Sequence, residues 1–305
     1  MTVSSSPNAL HSQIETKTWT WRGFPIRYTT SGEQTRSVSP VIVMVHGFGA
    51  SSGHWRHNLP ILGESYRCYA IDLIGFGASA KPTPGLEIEY NFETWGQQVA
   101  DFCREVVGSP AFFVGNSIGC IVILQTAVDF PELVLGVSLI NCSLRLLHDR
   151  KRATLPWYKQ MGTPIVQSLL NMKWLGKLFF AQLAQPQVVR KILLQAYHRP
   201  EAVTEELVDI IMKPAMDEGA VDVFLSFTRY SGGPLAEELL PRLSCPAIIL
   251  WGTEDPWEPI ELGRELGKFP TVAKFIPLEG NGHCPQDEAP EIVNPILQEW
   301  IEENR

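Results

Sequence analysis

The residue best suited to chemistry in this chain is the serine of Gly115-Asn116-Ser117-Ile118-Gly119. It follows the apolar run Ala111-Phe112-Phe113-Val114 and opens the apolar stretch Ile118 to Val128. Strand, sharp turn and helix form the context that a G-x-S-x-G nucleophile turn requires. Small flanking residues keep strand and helix from clashing, and the N–H of the next residue, Ile118, points to where an oxyanion would form. The competing reading is a structural turn with a buried serine.

A serine hydroxyl needs a base to take its proton. Among seven histidines, His283 is the one in a polar loop, Glu279 to Pro285, between the apolar run Val272 to Ile276 and the helical pattern Pro290 to Glu303. Sites in open parallel sheets form at the carboxyl ends of strands, which places Ser117 and His283 on one side. The base in turn needs an acid to hold its tautomer. Asp255, in Thr253-Glu254-Asp255-Pro256-Trp257, follows the run Ala247-Ile248-Ile249-Leu250 and completes the chain order Ser…Asp…His. Glu254 is its rival; Asn141 and Cys142, after the preceding run, offer no carboxylate. The plainer reading makes Asp255 a helix cap. His46-Gly47-Phe48-Gly49, after Val41 to Val45, puts the Phe48 backbone N–H where a second oxyanion donor is needed.

His54 and His57 have helical spacing but no third metal ligand, and the six cysteines form no CxxC pair. No metal and no organic cofactor is expected. Spread-out cysteines in a chain of this size read as buried thiols of a reducing compartment. The segment Met1 to Lys17 is polar and Ser-rich and does not read as a secretory signal, so a cytoplasmic location is expected.

These candidates need a sheet to position them. The apolar runs named above, with Cys68 to Ile71 and Leu133 to Ile140, suit strands covered on both faces. Helical patterns at Thr94–Val107, Ile118–Val128, Pro259–Lys268 and Pro290–Glu303 lie between several of them. The expected class is α/β, with a mostly parallel central sheet flanked by helices. Thr18 to Thr30 alternates around Gly23-Phe24-Pro25 and predicts an early hairpin. From about Leu144 to Pro241 the alternation stops and only helical stretches follow, the mark of an inserted cap. The expected organisation is a polar tail over 1–17, a core over 18–143 and 242–305, and a helical cap over 144–241. Val106 to Val128 carries no charge and is long enough for a bilayer, but its Gly-Ser-Pro and Gly-Asn-Ser turns fit a buried strand, turn and helix.

The chain has 305 residues, 45% of them hydrophobic and 19% charged, enough apolar surface to exclude a disordered chain. Its net charge of −8 disfavours a nucleic-acid partner.

With nucleophile, acid, base and oxyanion loop in order, the sequence from about residue 18 to its end resembles the α/β-hydrolase superfamily. Gly252 to Trp257, Gly282 to Glu288 and the nucleophile turn further resemble the pheophytinase and chlorophyll dephytylase group. That resemblance implies hydrolysis of the phytyl ester of a chlorophyll or pheophytin, with a phytylated tetrapyrrole as the lipophilic small-molecule partner. Cys120 departs from the pattern, since a small residue, commonly glycine, is expected there. The turn also resembles that of carbon–carbon hydrolases; Ser117 separates the chain from epoxide hydrolases and haloalkane dehalogenases, which use aspartate. A generic carboxylesterase and a ligand-binding receptor are the other readings.

The cap fits a greasy substrate. Trp157, Met161, Leu169, Leu170, Met172, Trp174, Leu175, Leu178, Phe179 and Phe180 cluster there, and Trp257 adjoins the acid. Trp157, Trp174, Phe179 and Trp257 are the expected substrate contacts; packing of cap on core is the alternative. Enclosing ten methylenes is worth roughly 8 kcal/mol before ordering costs. An amphipathic cap also offers peripheral contact with a membrane, here a photosynthetic one if the resemblance holds.

Overall fold

Tryptophan- and threonine-rich alternation builds the first hairpin. Glu15–Trp21 (β1) pairs antiparallel with Phe24–Ser31 (β2). Arg22 and Gly23 join them at φ of 50° and 86°, the left-handed pair that a two-residue hairpin turn favours. This computed structural model describes residues 14–33, 39–153 and 173–305.

Six further strands follow: Val41–Val45 (β3), Arg67–Ile71 (β4), Ala111–Asn116 (β5), Val134–Ile140 (β6), Ala247–Gly252 (β7) and Val272–Leu278 (β8). The sheet order is β1-β2-β4-β3-β5-β6-β7-β8, antiparallel through β2–β4 and parallel thereafter. The expected α/β class is therefore present. β3, β5 and β7 are buried at every residue because helices cover both faces of the sheet.

The two faces split by strand periodicity. Val43, Val45 and Phe113 pack under Phe92–Phe102 (α1) and Ile118–Asp129 (α2), with Trp95, Phe102 and Ile121 in that layer. Ile42, Met44, Phe112 and Val114 turn to the opposite face. The segment Val106–Val128 resolves into the end of a π-helical turn, β5, the nucleophile turn and α2. Among the described residues no helix is long and apolar enough to cross a membrane.

Between β6 and β7 the described chain is helical: Lys173–Leu183 (α3), Pro186–Ala196 (α4), Glu205–Ala215 (α5) and Ala220–Arg229 (α6). Trp157, Met161, Leu169, Leu170 and Met172 lie outside the described residues. Arg145 closes the neck of this insertion. Its guanidinium donates to the carbonyls of Pro234, Tyr230 and Gly232 and lies 4.7 Å from the Phe92 ring centroid. After β7 come Ile260–Leu266 (α7) and Pro290–Asn304 (α8), the latter packing Val293, Leu297 and Trp300 onto the Ile42 face.

One close approach fixes the centre of the sheet. A Cβ on Gly119, at the start of α2, would strike the backbone carbonyl oxygens of Val45 and His46, the latter at 2.6 Å. Backbone at both sites cannot yield as a side chain can. Gly119→Ala is expected to destabilise the fold by about 1–3 kcal/mol. Thermal melting checks this, and a variant that melts with the wild type would contradict so close a packing of α2 on β3.

Candidate active site

Ser117 sits between β5 and α2 at φ 55° and ψ −121°, a backbone conformation that non-glycine residues rarely hold. Its N–H donates to Ile140 O at 3.1 Å, and its carbonyl accepts from the N–H groups of Cys120 (3.1 Å) and Ser143 (3.2 Å). A Cβ on Gly115 would lie 2.7 Å from the Cys120 nitrogen, and one on Gly47 would lie 3.1 Å from Ser117 Cβ. The turn thus requires small residues on both sides. Cys120 fits despite its size: it is fully buried, and its thiol donates to Gly115 O at 3.1 Å.

His283 and Asp255 are both buried, and His283 Nδ1 lies 2.7 Å from Asp255 Oδ2. The carboxylate can only accept, so Nδ1 carries the ring proton and Nε2 is left as a base. Asp255 has three further donors. Asn141 Nδ2 reaches Oδ2 at 2.7 Å, and the N–H groups of Trp257 and Glu258 reach Oδ1 at 2.9 and 3.1 Å. Burial alone would raise the Asp255 pKa; the His283, Asn141 and Trp257 hydrogen bonds outweigh it and hold the carboxyl below its ordinary value. The rival Glu254 stays exposed on the loop and meets Thr253 rather than His283.

The Phe48 loop is braced from beneath. Leu73 N–H donates to His46 Nε2 at 3.1 Å, so His46 Nδ1 donates to Gly47 O at 2.7 Å. Burial depresses the His46 pKa and keeps this brace neutral. Phe48 itself stacks on Phe227, with ring centroids 4.8 Å apart. Ile118 is buried at the first position of α2. Among the described residues neither the Phe48 nor the Ile118 backbone N–H has a protein acceptor.

Ser117, His283, Phe48 and Trp257 line one cavity of about 400 Å³ between core and cap. No hydrogen bond joins Ser117 to His283 among the described residues. The cap contributes Phe180, Leu183, Val189, Leu193, Ile211 and Phe224. Trp257 packs its ring 4.9 Å from that of His283 and is 43% exposed, at the cavity rim. Trp174 and Phe179 do not line the cavity; they are 63% and 43% exposed. At 3.6 residues per turn, α3 turns Phe180 and Leu183 inward and Trp174 to the side opposite Leu183; Phe179, one turn before Leu183, packs its ring 6.4 Å from that of Phe224 without reaching the cavity. Trp157 falls outside the described residues.

His54 also lines the cavity, buried with both ring nitrogens unpartnered among the described residues. Burial lowers its pKa to about 4. His57 is exposed, and no group of three metal-ligating side chains occurs among the described residues.

Asn141 is the site residue the sequence did not single out. Besides Asp255 it binds Gly282 O at 3.3 Å through Nδ2 and accepts from Gly252 N–H at 3.1 Å through Oδ1. It therefore fastens the acid loop and the histidine loop to the end of β6. Its position after β6, beside the strand that carries the acid, is the only signal in the sequence. Asn141→Leu strips one donor from Asp255 and removes the side-chain partner of Gly282 O and Gly252 N–H; a buried polar group left unpaired costs about 1–3 kcal/mol, so a sharply lower melting temperature is expected. Asn141→Asp places a second carboxylate against Asp255, and its loss of stability should be larger at pH 7 than at pH 4. Equal losses at the two pH values would show that charge is not what the amide spares.

The Alpha/beta hydrolase family model matches residues 42–296. The chain is 28% identical to pheophytinase of Arabidopsis thaliana over 296 residues, covering 86% of this chain and 61% of that protein. It is 30% identical to the uncharacterized hydrolase YugF of Bacillus subtilis, covering 90% and 92% of the two chains. Among solved structures, a bacterial membrane phospholipase A superposes with a TM-score of 0.73 at 23% identity, covering 96% of this chain and 87% of the other. The epoxide hydrolase CorEH does so with a TM-score of 0.77 at 20% identity, covering 96% and 100%. From the family match over most of its length, this chain belongs to the alpha/beta hydrolase family.

Proposed function

We propose that the chain is a serine hydrolase that cleaves a carboxylic ester of a lipophilic substrate. The observation that carries this reading is the Asp255–His283 pair, which opens on the same apolar cavity as the strained Ser117. In this mechanism His283 Nε2 takes the Ser117 proton as Oγ attacks the ester carbonyl. The N–H groups of Phe48 and Ile118 receive the oxyanion. His283 then protonates the departing alcohol, and the acyl group remains on Ser117 Oγ as an acyl-enzyme. Water, deprotonated by His283, attacks that ester and releases the acid. Asp255, kept ionised by its four donors, balances the imidazolium charge in each half-reaction.

The likeness to pheophytinase supports a phytyl ester of chlorophyll or pheophytin as the substrate. The cavity volume of about 400 Å³ is near the lower end of small-molecule sites, ~300–1,000 Å³. On this reading the phytyl chain takes the cavity and the tetrapyrrole stays at the rim beside Trp257. Each methylene moved from water contributes ~0.8 kcal/mol. The reading also brings the cap to a lipid surface, a photosynthetic membrane for this substrate. Supporting it, Trp174 and Leu178, one turn apart on α3, are exposed by 63% and 53%, and the same helix turns Phe180 and Leu183 to the cavity.

Chromatographic detection of phytol from detergent-dispersed chlorophyll a and pheophytin a tests the proposal. Wild type should release it and Ser117→Ala should not. Asp255→Asn should lower kcat by orders of magnitude, since an amide holds His283 in the wrong tautomer, whereas Glu254→Gln should leave it within a few-fold. Hydrolysis of aryl esters without phytol release would keep the esterase and discard the pigment. Inactivity on both would favour carbon–carbon hydrolysis or a binding role. Phe180→Ala should reduce turnover of long-chain esters in solution more than that of acetate esters. Trp174→Ala should act only on substrate presented in vesicles; the converse pattern would reverse the roles given to the two faces of α3.

A further inference from the structure

We infer that Glu258 is a second functional carboxyl of this site, a positioning residue that ties the nucleophile turn to the acid loop and sets the charge felt by His283. The inference rests on the hydrolase reading above. Glu258 lies three residues after Asp255, lines the cavity and is buried. Its backbone N–H holds Asp255 Oδ1, and its carbonyl accepts from Trp251 Nε1 at 2.9 Å. Its side-chain Oε1 accepts from Ser143 Oγ at 3.1 Å, and Ser143 N–H donates to Ser117 O at 3.2 Å. A continuous hydrogen-bonded path therefore runs from Ser117 through Ser143, Glu258 and Asp255 to His283.

The other oxygen, Oε2, is buried with no partner among the described residues. An unpaired carboxylate there is costly, so the neutral acid is favoured. The titratable groups that face it are Asp255 on its own loop, His283 on the loop after β8 and the Cys142 thiol after β6. Burial raises the Glu258 pKa to about 7, against the pull of the Leu144 N–H, His283 and Ser143. The group is neutral below that pH and anionic above it. A negative charge at this point favours a positive charge on the neighbouring imidazole.

The test is the pH profile of kcat/KM on a short-chain naphthyl ester, which reports the ionisations of the free enzyme. Glu258→Gln keeps an acceptor for Ser143 and removes the charge. Its acid limb is expected to move to lower pH, with an about threefold gain at pH 7 relative to its own optimum, half a pH unit in the terms of a titration. Ser143→Ala keeps the carboxyl but strips a donor from its anion; it should move the limb in the same direction by less. This second variant serves if the glutamine protein does not fold. A uniform fall in rate with an unchanged profile in both would mean a structural brace only and would overturn the inference. Ser117→Ala is assayed alongside. If it is inactive while the Glu258 and Ser143 profiles match wild type, this inference alone fails; if it retains full rate, the hydrolase reading fails and takes the inference with it.

Discussion

The site depends on a contact that involves no side chain. At Gly119 the start of α2 lies against the carbonyls of Val45 and His46 at the end of β3. Because the two backbones approach this closely, the turn at Ser117 and the Phe48 loop are held side by side through direct backbone contact. Gly47 repeats the logic from the other side, with Ser117 Cβ where its own side chain would stand. The strained φ of Ser117 persists because the surroundings over-determine it. Ile140 and Ser143 hold its two backbone polar groups, and the β5–β6 pairing runs directly into that grip.

Cap and core meet at the histidine loop. His283 N–H donates to Ala196 O at the end of α4 at 2.7 Å, and a Cβ on Gly282 would overlap the same carbonyl. Tyr197, next in the chain, donates to Asp287 at 2.7 Å, and Asp287 also accepts from Arg56. The wall of the cavity that α4 supplies is therefore fastened to the loop that carries the imidazole. A shift of α4 would move His283 with it, which couples the shape of the apolar cavity to the placement of the base.

Much of this was legible in the sequence, for a definite reason. Buried parallel strands read as short apolar runs, and their carboxyl ends are where chemistry collects; this placed Ser117, Asp255 and His283 in neighbouring loops. Asp255 could be preferred to Glu254 only by a chain-order pattern, whereas its four donors give the physical reason. The cap was harder to read. A run of aromatic residues predicts an apolar helix but not which residues face inward, so Trp174 and Phe179 were chosen from a cluster whose Phe180 forms the wall, with Leu193 and Phe224. Asn141 was passed over because a carboxamide is not an acid, although its role needs the amide: one oxygen to accept and one nitrogen to donate between loops distant in the chain.

The acid loop shows why composition cannot stand in for environment. Asp255 and Glu258 are carboxylic acids three residues apart, both buried and both close to His283. Burial acts on them in the same direction, towards the neutral acid. Asp255 escapes because four donors converge on its two oxygens, one of them the imidazole. Glu258 accepts the Ser143 hydroxyl on Oε1 and has no partner on Oε2 among the described residues, and the pull of the Leu144 N–H, His283 and Ser143 falls short of burial. Opposite shifts in nearby carboxyls are how one loop keeps an anion and a neutral acid within the same few ångströms. The difference arises from hydrogen bonds that the sequence order Asp-Pro-Trp-Glu makes geometrically possible: the turn aims the Trp257 and Glu258 N–H groups back at Asp255, and the side chain of Glu258 is carried past it towards Ser143.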